Sequence, residues 1–138
     1  IKGVPRCIEV PAFSTTNGTR LDVWDCVNQS NVRWIIDGPF VGARGHSVIL
    51  IKNEHSGKCI NNPGFSTANG TQMVQWTCNR GDSNSQWFIN DLPGLGGFLL
   101  VNEHSGKCLN IAGNNTLNGS DLIQWTCSDS FANEIFFA

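Results

Sequence analysis

Six cysteines and three tryptophans recur at fixed spacing in this chain, and its chemistry must be read from them first. The cysteines stand at positions 7, 26, 59, 78, 108 and 127, forming three pairs each 19 residues apart. Six cysteines allow many pairings, but the repeated interval selects Cys7–Cys26, Cys59–Cys78 and Cys108–Cys127. A zinc site would want CxxC-type pairs, and the sequence has none, so no metal is expected. Closing a loop of this length stabilises by about 3 kcal/mol in the chain-entropy account. Disulfides persist in oxidising compartments, so the expected location is secreted or extracellular. Bridged cysteines leave no thiol nucleophile.

Trp24, Trp76 and Trp125 each stand two residues before the second cysteine of a pair. Side chains alternate faces along a strand. Parity therefore puts Cys7 with Glu9 on one face and Trp24 with Cys26 on another, and the bridge ties those faces together. Glu9 and Trp24 are expected to share a surface hollow, as are Asn61 with Trp76 and Asn110 with Trp125. An indole beside a hydrogen-bonding side chain suits a pyranose, which offers an apolar C–H face and a rim of hydroxyls. Packing beside the disulfide is the competing role for the indoles. Gln75 and Gln124 disturb the alternation, since parity assigns them to the core, and a bulge would repair it.

The elements that must position these residues are three copies of one unit. Phe13-Ser-Thr-Thr-Asn-Gly-Thr19 returns as Phe65-Ser-Thr-Ala-Asn-Gly-Thr71 and, more loosely, as 114–120. Glu54-His-Ser-Gly-Lys-Cys59 and Glu103-His-Ser-Gly-Lys-Cys108 are identical. The 138 residues suit one domain with one core. Fifteen Gly and five Pro, spread along the length, suit short strands and many turns. The expected fold is all-β, a single β-trefoil over 1–138, with lobes about 1–46, 47–96 and 97–138. Val48–Ile51 and Phe98–Val101 read as the first strands of lobes two and three, and Asp37–Gly45 and Asp91–Gly97 as the connections between lobes. The first strand of lobe one is expected to be short or trimmed away. No signal-peptide h-region is visible, so any such segment is expected to be removed or to lie outside these residues.

The opening of lobe one, Cys-Ile-Glu-Val-Pro-Ala-Phe-Ser-Thr-Thr-Asn-Gly-Thr-Arg-Leu-Asp-Val-Trp-Asp-Cys, resembles the ricin-type lectin repeat, also called the family 13 carbohydrate-binding module. The likeness extends over nearly the whole chain. It implies one shallow sugar site per lobe, for a galactose-like or xylose-like sugar. An acidic residue follows the first cysteine by two, an aromatic precedes the second by two, and an Asn stands three before a closing Trp. Lobe one then gives Glu9, Trp24 and Asn31; lobe two, Asn61, Trp76 and Asn84; lobe three, Asn110, Trp125 and Asn133, with Phe136 in place of the closing Trp. The family's Gln-x-Trp becomes Val32-Arg-Trp34, Ser85-Gln-Trp87 and Glu134-Ile-Phe136, so its Gln is missing throughout. The usual Asp is Glu once and Asn twice. An amide accepts more weakly than a carboxylate, so lobe one is expected to contribute most.

Other residues carry less. Charged residues are only 14% of the chain, with a formal charge of −2, which gives no footprint for nucleic acid or an anionic membrane. No apolar run is long enough to insert across a bilayer. His55 and His104 are expected in hairpin turns; His46 follows no pattern. Asp22 and Asp25 bracket Trp24 without the carboxylate spacing of a glycosidase. Asn17, Asn28, Asn69, Asn114 and Asn118 head N-glycosylation sequons, but at 17, 69 and 118 the Asn-Gly pair has a turn role of its own.

Neither a catalytic constellation nor a cofactor is expected, and the partners are glycans or polysaccharide. The resemblance also implies a fused or associated glycosidase or toxin subunit. The alternative is a trefoil whose degenerate sugar sites serve protein–protein contact, as an inhibitor or toxin subunit. Peptide mapping under non-reducing conditions should return three bridges, each within one lobe; a bridge between lobes would refute the repeat.

Overall fold

The computed structural model describes residues 6–114 and 117–137. The sequence-based first strand of lobe one, and residues 115–116 of the third turn with their part of the Asn114 sequon, lie outside the described residues. Ten strands follow one another: β1 (Arg6–Glu9), β2 (Asp22–Asp25), β3 (Trp34–Val41), β4 (Ser47–Asn53), β5 (Cys59–Asn61), β6 (Val74–Trp76), β7 (Trp87–Leu92), β8 (Gly97–Asn102), β9 (Cys108–Ile111) and β10 (Leu122–Trp125). All pairings are antiparallel. β1 pairs β2, while the other eight strands form one sheet ordered β10-β9-β8-β7-β4-β5-β6, with β3 on β4. This is the β-trefoil that the repeats imply.

Each disulfide closes one short hairpin. Cys7–Cys26, Cys59–Cys78 and Cys108–Cys127 are formed, with Cα atoms 5.1, 5.1 and 5.0 Å apart. Within the hairpins Cys7 faces Trp24, Cys59 faces Trp76 and Cys108 faces Trp125 across the strand pair. The connections are tighter than composition implies. The pairing of β3 with β4 carries β3 through Asp37-Gly-Pro-Phe-Val41, and a register shift between Asp37 and Phe40 absorbs the Gly-Pro pair. Ladder hydrogen bonds thus occupy residues whose types read as a loop.

The core is built in three-fold sets. Leu21, Met73 and Leu122 are fully buried at equivalent positions. Their backbones close a ring: Leu21 N–H donates to Met73 O (3.0 Å), Met73 N–H to Leu122 O (2.8 Å) and Leu122 N–H to Leu21 O (3.1 Å). Trp34 and Trp87 close lobes one and two, their indoles donating to Ile8 O and Ile60 O at 2.8 and 3.1 Å. Phe136 fills that place in lobe three, where its backbone bridges Phe98.

Gln75 and Gln124 need no bulge. The β5–β6 and β9–β10 registers run unbroken through both residues, and both side chains are fully buried. Gln75 Nε2 donates to Ser14 O and Thr16 O at 3.1 and 3.0 Å, in the turn of the preceding lobe. Gln124 Nε2 does the same to Ser66 O and Ala68 O, both at 3.0 Å. Buried carbonyls need donors, and a core-facing amide supplies them where lobe one has Val23. Gln75→Ala would leave two carbonyls without their donor, so urea unfolding should show a loss of about 2 kcal/mol. An unchanged midpoint would show that water replaces the amide at no cost.

Candidate functional site

The aromatic platforms are set by the turn of a neighbouring lobe. In lobe one Thr19 N–H donates to Thr16 O at 3.3 Å, and Gly18 takes φ +90, as a type II turn requires at its third position. Gly70 and Gly119 repeat this conformation at φ +91 and +87. A Cβ on Gly18 would lie 3.8 Å from Trp76 Cζ3, one on Gly70 3.8 Å from Trp125 Cζ3, and one on Gly119 3.9 Å from Trp24 Cζ3. Each indole rests by one edge on the Asn-Gly turn of the lobe before it. The rest of the ring stays open: Trp24, Trp76 and Trp125 are 42, 46 and 39% exposed. A packed edge and an open face thus belong to one arrangement in each lobe.

The Asn of each turn fastens the same joint. Asn17 Oδ1 accepts from Thr77 N–H and Asn69 Oδ1 from Thr126 N–H, both at 2.9 Å. Asn118 Nδ2 donates to Asp25 Oδ2 at 3.1 Å. Asn17 and Asn69 also donate through Nδ2, the glycan-bearing atom of a sequon, to Thr77 Oγ1 and Thr126 Oγ1. Asn28, heading another sequon, accepts from Arg33.

The polar partners differ from lobe to lobe. In lobe one Asn31 Nδ2 donates to Glu9 Oε2 at 3.3 Å and to Val10 O at 3.2 Å, so two of the expected residues meet directly. In lobe two Asn61 Nδ2 donates to Ser85 Oγ at 2.8 Å, and Asn84 turns to Asn62 O at 3.0 Å. Asn31 and Asn84 are buried, and the Oδ1 of each has no partner among the described residues. In lobe three Asn133 Nδ2 donates to Asn110 Oδ1 at 3.0 Å and to Ile111 O at 2.9 Å. Here the three expected residues, Asn110, Trp125 and Asn133, line one open cleft of about 440 Å³.

Lobe three also holds a carboxylate that the sequence pattern hides. Glu134 is fully buried, accepting from Asn110 Nδ2 at 2.9 Å and from Ser128 N–H at 2.8 Å. Burial raises its pKa, opposed by those two hydrogen bonds. Glu134 stands where the family's Gln is expected, so acid and amide have exchanged places across the lobe: Asn110 carries the amide and Glu134 the acid. The one-dimensional pattern shows Glu134 at the place of the family's Gln but not its bond to Asn110.

Lobe one has a second acid. Asp22 faces Glu9 across β1 and β2 and bridges towards Asp121. Burial, a hydrogen bond to Glu9, its charge and that of Asp121 push the Asp22 carboxyl up to about 7. Lobes two and three have Val74 and Ile123 opposite their Asn. The sequence discloses no paired carboxylates because the pairing is across strands. Two acids in hydrogen-bond contact are also closer than the roughly 5 Å or more that separates the carboxylates flanking a glycosidic bond.

The histidines belong to the frame. His55 and His104 follow Asn53 and Asn102 in hairpin turns, and their rings meet Phe13 and Phe65 edge-on at 5.1 Å. His46 bonds the buried Glu103 at 2.6 Å and stacks on Phe88. Among the described residues no helix is long and apolar enough to cross a membrane.

A family model described as ricin-type beta-trefoil lectin domain-like matches residues 39–125 and 93–134. Among solved structures, the designed three-fold symmetric protein ThreeFoil is 27% identical, covers 96% of this chain and 89% of its own, and superposes with a TM-score of 0.85. An exo-β-1,3-galactanase from Clostridium thermocellum is 22% identical with a TM-score of 0.83; the match covers 94% of this chain but 26% of the enzyme. The Rhizoctonia solani agglutinin is 14% identical over 94% of this chain and 84% of its own, with a TM-score of 0.76. The two likenesses below 25% identity carry the fold.

The raised acids fix the sign of a pH dependence. A carboxyl whose folded pKa lies above its unfolded value adds stability below the unfolded value and loses it as pH rises through the folded one. For Asp22 that window runs from 3.8 to about 7. Thermal stability should therefore fall between pH 5 and pH 8. Asp22→Asn should recover about 1 kcal/mol at pH 8, a figure reduced from the full shift because the group is only half-buried. Adding Glu134→Gln should flatten the remainder. A profile unchanged by both substitutions would mean that neither acid is strained by burial.

Proposed function

The chain belongs to the ricin-type β-trefoil lectin-like family, and on that footing we propose that it binds neutral carbohydrate without transforming it. The observation that carries this reading is the lobe-three cleft. Trp125 offers an open apolar face, and Asn110 and Asn133, joined by a hydrogen bond, line the same hollow. A pyranose laid on the indole would present its hydroxyl rim to those two amides. Glu134, fixed behind Asn110, holds that amide in one orientation, which a free Asn would not keep.

This ordering of sites differs from the expectation that Glu9 makes lobe one dominant. Lobe three has its own carboxylate, and its Asn133 is only half-buried. In lobes one and two Asn31 and Asn84 are buried, although all three asparagines donate to the equivalent carbonyl, Val10 O, Asn62 O or Ile111 O. Those two lobes are weaker sites in this reading. Their closure is also the one observation that favours the second reading, degenerate sites used for protein contact.

A shallow site for one sugar binds near the millimolar level, about −4 kcal/mol. Useful retention on a polysaccharide then comes from engaging more than one lobe at once. A secreted module that holds a glycosidase on its polymer fits both the disulfides and the match to part of a galactanase. A toxin subunit is the other assembly that this family reading admits.

Titration calorimetry with galactose and with xylose tests the proposal. Trp125→Ala and Asn133→Ala should each weaken binding at least tenfold, about 1.4 kcal/mol. Trp24→Ala and Trp76→Ala should cost less, and Glu134→Gln should weaken lobe three while leaving the fold intact. Unaltered affinity in all three Trp variants, with lowered melting temperatures, would leave the indoles as packing residues and favour protein contact. Reproducible turnover of a glycoside, lost on replacing a named carboxylate, would refute a purely binding role.

A further inference from the structure

Phe131 has no counterpart in the other two lobes. It stands two residues before Asn133, where lobe one has Gln29 and lobe two Asp82. The ring is 42% exposed. It borders the same cleft as Trp125, over a floor that includes Asn110, Asn133 and Ile123. Ile123 is itself a departure from lobe one, which has Asp22 at that position. The lining of the lobe-three cleft thus includes two aromatic side chains and two amides among its described residues. No charged side chain is among its described lining residues.

One pyranose can lay its C–H face on one aromatic and its hydroxyls on the amides. That leaves the second aromatic side chain uncovered. We propose that the lobe-three site takes a neutral glycan of at least two linked pyranoses, the first on Trp125 and the amides, the next against Phe131. The inference rests on the carbohydrate-binding reading above and specifies its ligand. A neutral saccharide is favoured over a uronic or sialic acid on two grounds. The described lining offers no cation to pair with a carboxylate, and Glu134 lies immediately behind Asn110 as a buried acid. An anionic sugar would lose its hydration and find no cation among the described lining residues to replace it.

The site can be read on its own in the intact chain. In ¹⁵N-labelled protein the indole N–H of Trp125 reports lobe three separately from Trp24 and Trp76. The probes are galactose with galactobiose, and xylose with xylobiose, each titrated to saturation. The disaccharide of at least one pair should bind at Trp125 about fivefold to tenfold tighter than its monosaccharide, the range expected of one added aromatic contact. Phe131→Gln, which installs the lobe-one residue at an exposed position, should abolish that preference and bring the disaccharide down to the monosaccharide's affinity. Digalacturonic acid should not displace either disaccharide. Equal affinities for monosaccharide and disaccharide in the unmodified chain would overturn the proposal, as would an equal loss of both in Phe131→Gln. Both outcomes leave sugar binding itself standing. If no saccharide moves any of the three indole signals, the carbohydrate reading fails, and this proposal with it.

Discussion

Three backbone hydrogen bonds, from Leu21 to Met73, Met73 to Leu122 and Leu122 back to Leu21, hold the three lobes around one axis. A single lobe has only short strands and one apolar face, too little to bury its side chains alone. Its buried Leu or Met has both ends of a shared peptide ring satisfied only when the other two lobes are present. The same joint recurs further out. Gly18, Gly70 and Gly119 each donate at 2.8 Å to the strand of the adjoining lobe, at Gln75, Gln124 and Val23. Folding and assembly of the lobes are therefore one event, and each lobe's surface is shaped by its neighbour.

The consequence for the site is direct. An indole two residues before a cysteine would be free to collapse onto its own hairpin. It stays half open with one edge beside the neighbouring Asn-Gly turn. Gly stands in that turn for its positive φ, since a Cβ there would meet the indole only at ordinary van der Waals distance. The residue that looks like a turn former in sequence is thus part of the platform in space. The Asn before it completes the joint by bonding the residue just after the next lobe's indole.

Against this shared frame the lobes diverge at a few positions that face each other across strands. Opposite the polar residue of the first strand stand Asp22, Val74 and Ile123. At the place of the missing Gln stand Val32, Ser85 and Glu134. These choices send the amides in different directions: Asn31 to Glu9, Asn61 to Ser85, Asn110 to Glu134. One scaffold thereby yields an acid pair, a neutral hydrogen-bonded pair and an amide backed by a buried acid. The acids beside these amides, Asp22 and Glu134, are the ones that burial strains.

The trefoil and its disulfide pairing were legible in the chain because they repeat. Three intervals of 19, three Trp residues at one register and two identical Glu-His-Ser-Gly-Lys-Cys segments record a three-fold constraint along one dimension. The register of the exposed indoles was legible for the same reason, and of the pairs that strand parity expected, Asn110 and Trp125 line one cleft. Gln75 and Gln124, Asp22 and Glu134 resisted that reading. Each meets a partner some 13 to 60 residues away: carbonyls of another lobe for the glutamines, Glu9 for Asp22, Asn110 for Glu134. Local sequence determined the strands, the bridges and the indoles, since periodicity and spacing act through nearest neighbours on the backbone. Only the tertiary structure decided which amides are buried and which acid lies beside them, since burial and charge depend on what the closed ring of lobes brings alongside.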